Sequence, residues 1–118
     1  MKIVEIAFSA YPVTDLSRAR AFYEGVLGLT PSPTANPHWV EYEIGPHTLG
    51  IGSAEGWLPN KDGGSVGLEV EDFDAAIAEL RAADVTFRME PFSTPVCRMA
   101  IIHDPDGNSV LIHKRHAQ

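Results

Sequence analysis

The feature that most constrains this chain is an internal echo. Val13-Thr14-Asp15-Leu16-Ser17-Arg18-Ala19 and Val70-Glu71-Asp72-Phe73-Asp74-Ala75-Ala76 both read Val-x-Asp-apolar-x-x-Ala, and Val13 and Val70 stand 57 positions apart in a chain of 118. Two such periods nearly exhaust the sequence, which points to one structural unit used twice. The surroundings of the two copies agree. An extended segment, Ile3 to Tyr11 in the first and Ser65 to Val70 in the second, leads into an Asp whose carboxylate can cap a helix. The first helix is expected over Leu16 to about Val26, with Leu16, Ala19, Phe22, Tyr23, Val26 and Leu27 at helical spacing and Gly28 as its stop. The second is expected over Phe73 to about Ala83, on Phe73, Ala76, Ile77 and Leu80.

Short β-like runs follow each helix. In the first half they are His38 to Ile44 and Thr48 to Gly52, joined by Gly45-Pro46-His47. In the second they are Val85 to Met89, Cys97 to His103 and Asn108 to Lys114. Asp104-Pro105-Asp106-Gly107 joins the last two, with Pro presetting φ and Gly supplying the positive φ that closes a three-residue hairpin loop. The polar, turn-rich stretch Ser53 to Gly64 is expected to link two modules, about 1–56 and 64–115, within a single domain. The resulting fold class is α+β: two β-α-β-β-β modules forming a curved, mostly antiparallel sheet around a cleft, with the helices on the outer face. A lone module would leave sheet edges open, so the modules are expected to pair within the chain or across a homodimer.

Charge narrows the partners. Nine Lys and Arg against 16 Asp and Glu leave a net charge of −7, which repels phosphate backbones and anionic lipid, so no nucleic acid and no membrane partner is expected. No apolar run is long enough for a signal peptide or a spanning helix. Cys97 is the single cysteine, which rules out an intramolecular disulfide and a Cys-rich zinc site and makes the cytoplasm the expected compartment.

Three stretches carry a family resemblance: Val13-Thr14-Asp15-Leu16, Phe22-Tyr23-Glu24-Gly25-Val26-Leu27-Gly28-Leu29 and Asp104-Pro105-Asp106-Gly107-Asn108. Set in a doubled β-α-β-β-β unit, they resemble the vicinal oxygen chelate superfamily, which contains glyoxalase I, extradiol dioxygenases, fosfomycin-modifying enzymes and bleomycin resistance proteins. The resemblance runs from Ile3 to Lys114 and rests on caps, helix core and turns, so it speaks to fold more than to activity. In the enzymes of this superfamily a divalent metal is held by His, Glu or Gln side chains from four strands. The resemblance puts those four slots at Phe8 and Ser65, each seven residues before a capping Asp, at Leu111, seven after Asp104, and near Gly50. Phe and Leu have no lone pair to donate, Gly has no side chain, and a neutral Ser is a poor ligand. No metal or other cofactor is therefore expected, and chemistry that depends on a metal to stabilise negative charge loses its support. The metal-free branch, the bleomycin resistance proteins, sequesters a large cationic drug in a cleft at the dimer interface. The acidic balance here suits such a cation.

Strand alternation supplies the lining of the expected cleft. It places Phe8 and Ala10, then Ser65, Gly67 and Glu69, on the inner face. The last hairpin sets Ile101 opposite Leu111 and Met99 opposite His113, so that Met99, Ile101, His103, Ser109, Leu111 and His113 share that face. Tyr42, set opposite Gly50, is expected inward with Val40 and His38. Trp39 and Trp57 offer an aromatic platform for a planar or cationic ligand, Trp57 the more so because no strand demands it. The expected ligand-binding set is Phe8, Tyr42, Trp57, Ser65, Glu69, Met99, Ile101, Leu111 and His113. Glu69 and His113 are the candidates for acid–base catalysis, whereas Cys97 has no base placed beside it. The leading function is binding of a small organic ligand without a metal, and the charge balance is compatible with a cation. Two alternatives stand beside it: a metal-dependent lyase, isomerase or dioxygenase with a displaced site, and a dimeric protein whose cleft is filled by its own side chains.

Overall fold

The computed structural model describes residues 2, 4–33 and 36–117. The chain divides into two compact units, Met1–Pro59 and Asn60–Gln118. No helix among the described residues is long and apolar enough to cross a membrane.

In the first unit, strand β1 (Ser9–Pro12) leads to a helical segment whose first part, α1, is Leu16–Arg20. Asp15 caps it: its backbone is extended, and its carboxylate accepts the Arg18 N–H at 3.1 Å. From Ala21 to Val26 the helix widens into a π-helix, marked by the Leu27 N–H donating to the Phe22 carbonyl five residues back at 3.0 Å. The expected span Leu16 to Val26 holds, and the wider turn is the difference. Tyr23 lies within it, fully buried and stacked between Tyr11 and Tyr42 at ring distances of 6.3 and 6.1 Å. Strands β2 (Trp39–Ile44) and β3 (His47–Gly52) form a hairpin, and the sheet order is β1-β3-β2 with β1 parallel to β3.

A third strand after the first helix is reduced to a single bridge between Pro31 and Tyr42, beside a Ser32 N–H to Glu41 carbonyl bond of 2.8 Å. Prolines at 31 and 33 explain this, since neither can donate to a ladder. β1 is likewise shorter than the expected run from Ile3: Ile3 lies outside the described residues, and Val4, Ile6 and Phe8 precede the strand and are exposed, at 78%, 85% and 53%.

The β2–β3 hairpin corrects the expected register. Ile44 pairs with His47 across a two-residue loop, Gly45-Pro46, with Gly45 at φ 58°, where a three-residue loop was expected. A slip of one residue turns every side chain to the opposite face. Tyr42 pairs with Leu49 instead of Gly50, is fully buried, and belongs to the core against Tyr23. Val40 is buried with it, while Trp39 and Glu41 take the open face.

The second unit contains all five expected elements: β4 (Val66–Glu69), α2 (Phe73–Ala82), β5 (Phe87–Ser93), β6 (Cys97–His103) and β7 (Ser109–Arg115), with sheet order β4-β7-β6-β5. Asp72 caps α2 as Asp15 caps α1, accepting the Ala75 N–H at 3.0 Å from nearly the same backbone conformation, φ −127° against −133°. Phe73, Ile77 and Leu80 of α2 are buried, as are Ala100, Ile102, Val110 and Ile112 on the helix-facing side of the sheet. The β6–β7 hairpin has the expected register, Ile101 opposite Leu111 and Met99 opposite His113. Its turn closes by a Gly107 N–H to Asp104 carbonyl bond of 3.0 Å, with Gly107 at φ 83°. Buried Asp104 accepts the Asn108 N–H and side-chain amide at 2.9 and 2.8 Å.

The stretch expected as a linker is pinned at its far end. The guanidinium of Arg88 donates to the Lys61 carbonyl at 2.6 Å, to the Ser109 hydroxyl at 2.7 Å and to Asp62 at 2.9 Å. This cover buries Ser109, which strand alternation alone would have left open.

Candidate functional site

In the first unit the open face of the sheet is built around Trp39. Gly50 and Gly52 of β3 present no side chain on that face, and the indole lies across them: a Cβ on Gly50 would collide with the ring, and one on Gly52 would meet it at 2.8 Å. Trp57, from the loop after β3, stacks on Trp39 at 6.3 Å with 26° between planes, and Phe8 meets Trp39 edge-on at 5.6 Å. The Trp39 indole N–H donates to Glu41 at 2.9 Å, which holds a carboxylate beside the rings. Next along β2, the Thr48 hydroxyl donates its one proton to the Glu43 carboxylate, 3.0 and 2.8 Å from its two oxygens. Trp57 and Phe8 remain 37% and 53% exposed, so the assembly is a surface and not a filled core. An aromatic slab with a carboxylate alongside attracts a flat or positively charged group.

On the other side of the first sheet, the buried Tyr42 hydroxyl donates to Glu24 at 2.9 Å, and Arg20 holds the same carboxylate at 2.6 Å. Arg20 keeps the Glu24 carboxyl below its usual range, while burial, then Glu24, pushes the Tyr42 phenol well above its own. A cavity of about 260 Å³ beside this network is lined by Arg20, Pro31, Ser32, Pro33 and Val40. Its one guanidinium is already engaged by Glu24.

In the second unit the strand pairing brings part of the expected face together. Glu69, His113 and Met99 lie side by side in one row across β4, β7 and β6, and Gly67, Leu111 and Ile101 form the next row. Bulged β5 adds Met89 opposite Ile101 and Phe92 opposite Met99, both exposed. Glu69 accepts from His113 Nδ1 at 2.6 Å through one oxygen and from the Arg115 N–H at 2.8 Å through the other. The Arg115 N–H, then His113, holds the Glu69 carboxyl below its usual range. Ser65 is exposed just ahead of β4. His103 turns to its own hairpin, 3.1 Å from the Gly107 carbonyl, and Cys97 is buried with its thiol 3.2 Å from the Thr94 hydroxyl.

The four slots where the superfamily's enzymes hold a metal do not fit one. Phe8 and Leu111 present hydrocarbon, Ser65 a neutral hydroxyl, and Gly50 lies beneath an indole. Among the described residues no group of three or more His, Cys, Asp or Glu side chains is placed to hold a metal ion.

Comparison with known proteins decides the family. A family model described as the Glyoxalase/Bleomycin resistance protein/Dioxygenase superfamily matches residues 2–112. The chain belongs to that superfamily. Among solved structures, TnmS3, an antibiotic binding protein from Streptomyces sp. CB03234, is 25% identical with a TM-score of 0.78, covering 98% of this chain and 99% of that one. A lactoylglutathione lyase from Agrobacterium tumefaciens is 21% identical at a TM-score of 0.76, covering 96% and 95%. A glyoxalase/dioxygenase from Nostoc punctiforme is 18% identical at a TM-score of 0.80, covering 96% and 92%. The last two establish a shared fold and nothing finer. Comparison with curated proteins finds no match.

Two features of the site were not legible in the sequence. Trp39 was one of two candidate tryptophans, and its place at the centre depended on the hairpin register; Gly50 and Gly52 at alternate positions opposite a large aromatic are the signal that would have found it. Met89 and Phe92 joined the second face through a β-bulge that periodicity does not announce.

Proposed function

We propose that this chain binds a small, planar, cationic organic molecule without a metal ion, as a bleomycin-resistance-like member of its superfamily. The observation that carries the reading is the slab of Phe8, Trp39 and Trp57 over a glycine floor, with Glu41 bonded to the Trp39 indole. Stacking and cation–π attraction on a partly desolvated face supply binding energy without any Lewis acid. The poor donor set at the four metal slots and the likeness to an antibiotic binding protein support the same reading. On the second unit, Ser65, Glu69, Met99, Ile101, Leu111 and His113 are the proposed ligand contacts.

A homodimer is part of the proposal. β1 and β4 are both sheet-edge strands, and the exposed apolar residues Val4 and Ile6 precede β1. A single buried thiol supports the cytoplasm as the compartment.

Metal analysis of protein purified without chelator, followed by titration with nickel, zinc and manganese, tests the metal-free part. No stoichiometric metal is expected, and one ion per chain would overturn it in favour of a metal-dependent enzyme. A thermal-shift screen against cationic aromatics tests the ligand class, because a ligand at a hundred times its Kd adds about 2.7 kcal/mol. The absence of any shift across the screen would favour a face covered by the protein itself. Light scattering should return twice the chain mass, and a monomer would remove the dimer.

A further inference from the structure

The pair Glu69 and His113 does more than decorate the open face of the second unit. Both carboxylate oxygens are occupied, Oε1 by His113 Nδ1 at 2.6 Å and Oε2 by the Arg115 backbone N–H at 2.8 Å, so the group is held facing the ring. An ionised carboxylate only accepts hydrogen bonds, so the proton of a neutral imidazole must sit on Nδ1 and Nε2 is left as an acceptor. Among the described residues nothing is hydrogen-bonded to that nitrogen, and the ring is only partly exposed, at 26% of its side-chain area. Glu69 lies opposite it on β4, and its neighbours toward β6 and in the next row are apolar: Met99 directly opposite, Ile101 and Leu111 in the next row, and Phe92 beyond Met99. The face thus offers one fixed hydrogen-bond acceptor in a hydrocarbon and thioether setting, which favours aromatic rings.

We infer that Glu69 sets the tautomer of His113 so that Nε2 accepts a hydrogen bond from a ring N–H of an aromatic ligand seated against Met99, Ile101 and Leu111. Glu69 is a positioning residue, and His113 is the specificity-determining contact. This deepens the small-molecule reading by naming what the ligand must carry, and it stands on the second unit alone, apart from the tryptophan slab. Replacing Glu69 by Gln should invert the site. The single side-chain oxygen of Gln would be taken by the Arg115 N–H, leaving its amide N–H to face Nδ1. That drives the proton to Nε2 and turns the acceptor into a donor.

Nitrogen-15 NMR of the His113 ring reads the tautomer in the unliganded protein. Nδ1–H is expected in the wild type and Nε2–H in Glu69→Gln; Nε2–H in the wild type overturns the inference whatever the variant does. Chemical-shift titration then uses three probes: indole, which only donates; 1-methylindole, which lacks the donor; and quinoline, which only accepts. The wild type should bind indole about five- to ten-fold more tightly than 1-methylindole, the size of one hydrogen bond. Glu69→Gln should prefer quinoline, and His113→Phe, which keeps the apolar face, should show no preference between the indoles. Equal binding of the two indoles by the wild type, or no binding at all, overturns the inference. A cationic aromatic would still titrate the tryptophan fluorescence of the first unit in that event, so the two readings fail separately.

Discussion

Trp39 lies across Gly50 so closely that the glycine has room for hydrogen alone on that face. The indole from β2 occupies the space where β3 would otherwise carry side chains, and the glycines at 50 and 52 serve the ring more than the strand. Gly50→Ala must therefore displace Trp39, at a cost of about 1–3 kcal/mol for overpacking. The near-UV circular dichroism of the tryptophans should fall with it. A variant with unchanged stability and an unchanged tryptophan band would contradict the arrangement.

Tyr42 tests the register of the same hairpin. As a fully buried ring stacked on Tyr23, Tyr42→Ala should cost about 3–5 kcal/mol in urea denaturation. Tyr42→Phe keeps the stack and leaves Glu24 with Arg20, so it should cost only about 1 kcal/mol. A mild effect from the alanine would return Tyr42 to the open face.

The difference between what the sequence revealed and what it hid has a physical pattern. Asp15 and Asp72, the two helices and the β6–β7 register were legible because caps, 3.6-residue periodicity and an Asp-Pro-Asp-Gly turn are local signals. From that register followed the row of Glu69, His113 and Met99. The β2–β3 hairpin failed because Gly45-Pro46-His47 fits either a two- or a three-residue loop, and one residue decides which face receives Trp39 and which Tyr42. The burial of Ser109 beneath Arg88 depends on a contact distant in sequence, and the π-helical turn at Ala21–Val26 leaves no mark in the apolar spacing.

The repeated caps should act as equals. Asp15→Ala and Asp72→Ala each remove one carboxylate to N–H bond of near-identical length and should each cost about 1 kcal/mol. Urea denaturation of the two single variants checks this. A cost in one and none in the other would break the equivalence of the two copies.

Glu69 should leave a signature in acid. Its carboxyl is held below the usual range, so its stabilising contribution is fully present above the unfolded-state value of about 4.3 and is lost as pH falls through the lower folded value. Glu69→Gln should thus be less stable than the wild type at neutral pH, by a small margin since the group is 39% exposed. The two urea midpoints should converge as the pH drops below about 4. A gap that stays constant across that range would show that the carboxylate charge is not involved.

The proposed binding of a flat cation by the Trp39 slab needs no metal. Its most direct test is a titration of tryptophan fluorescence with acriflavine, run with and without EDTA and repeated in Trp57→Ala. Saturable quenching with the same midpoint in both buffers, weakened in the variant, is the predicted result. Quenching that never saturates, or that appears only when nickel, zinc or manganese is added and vanishes with EDTA, would contradict it.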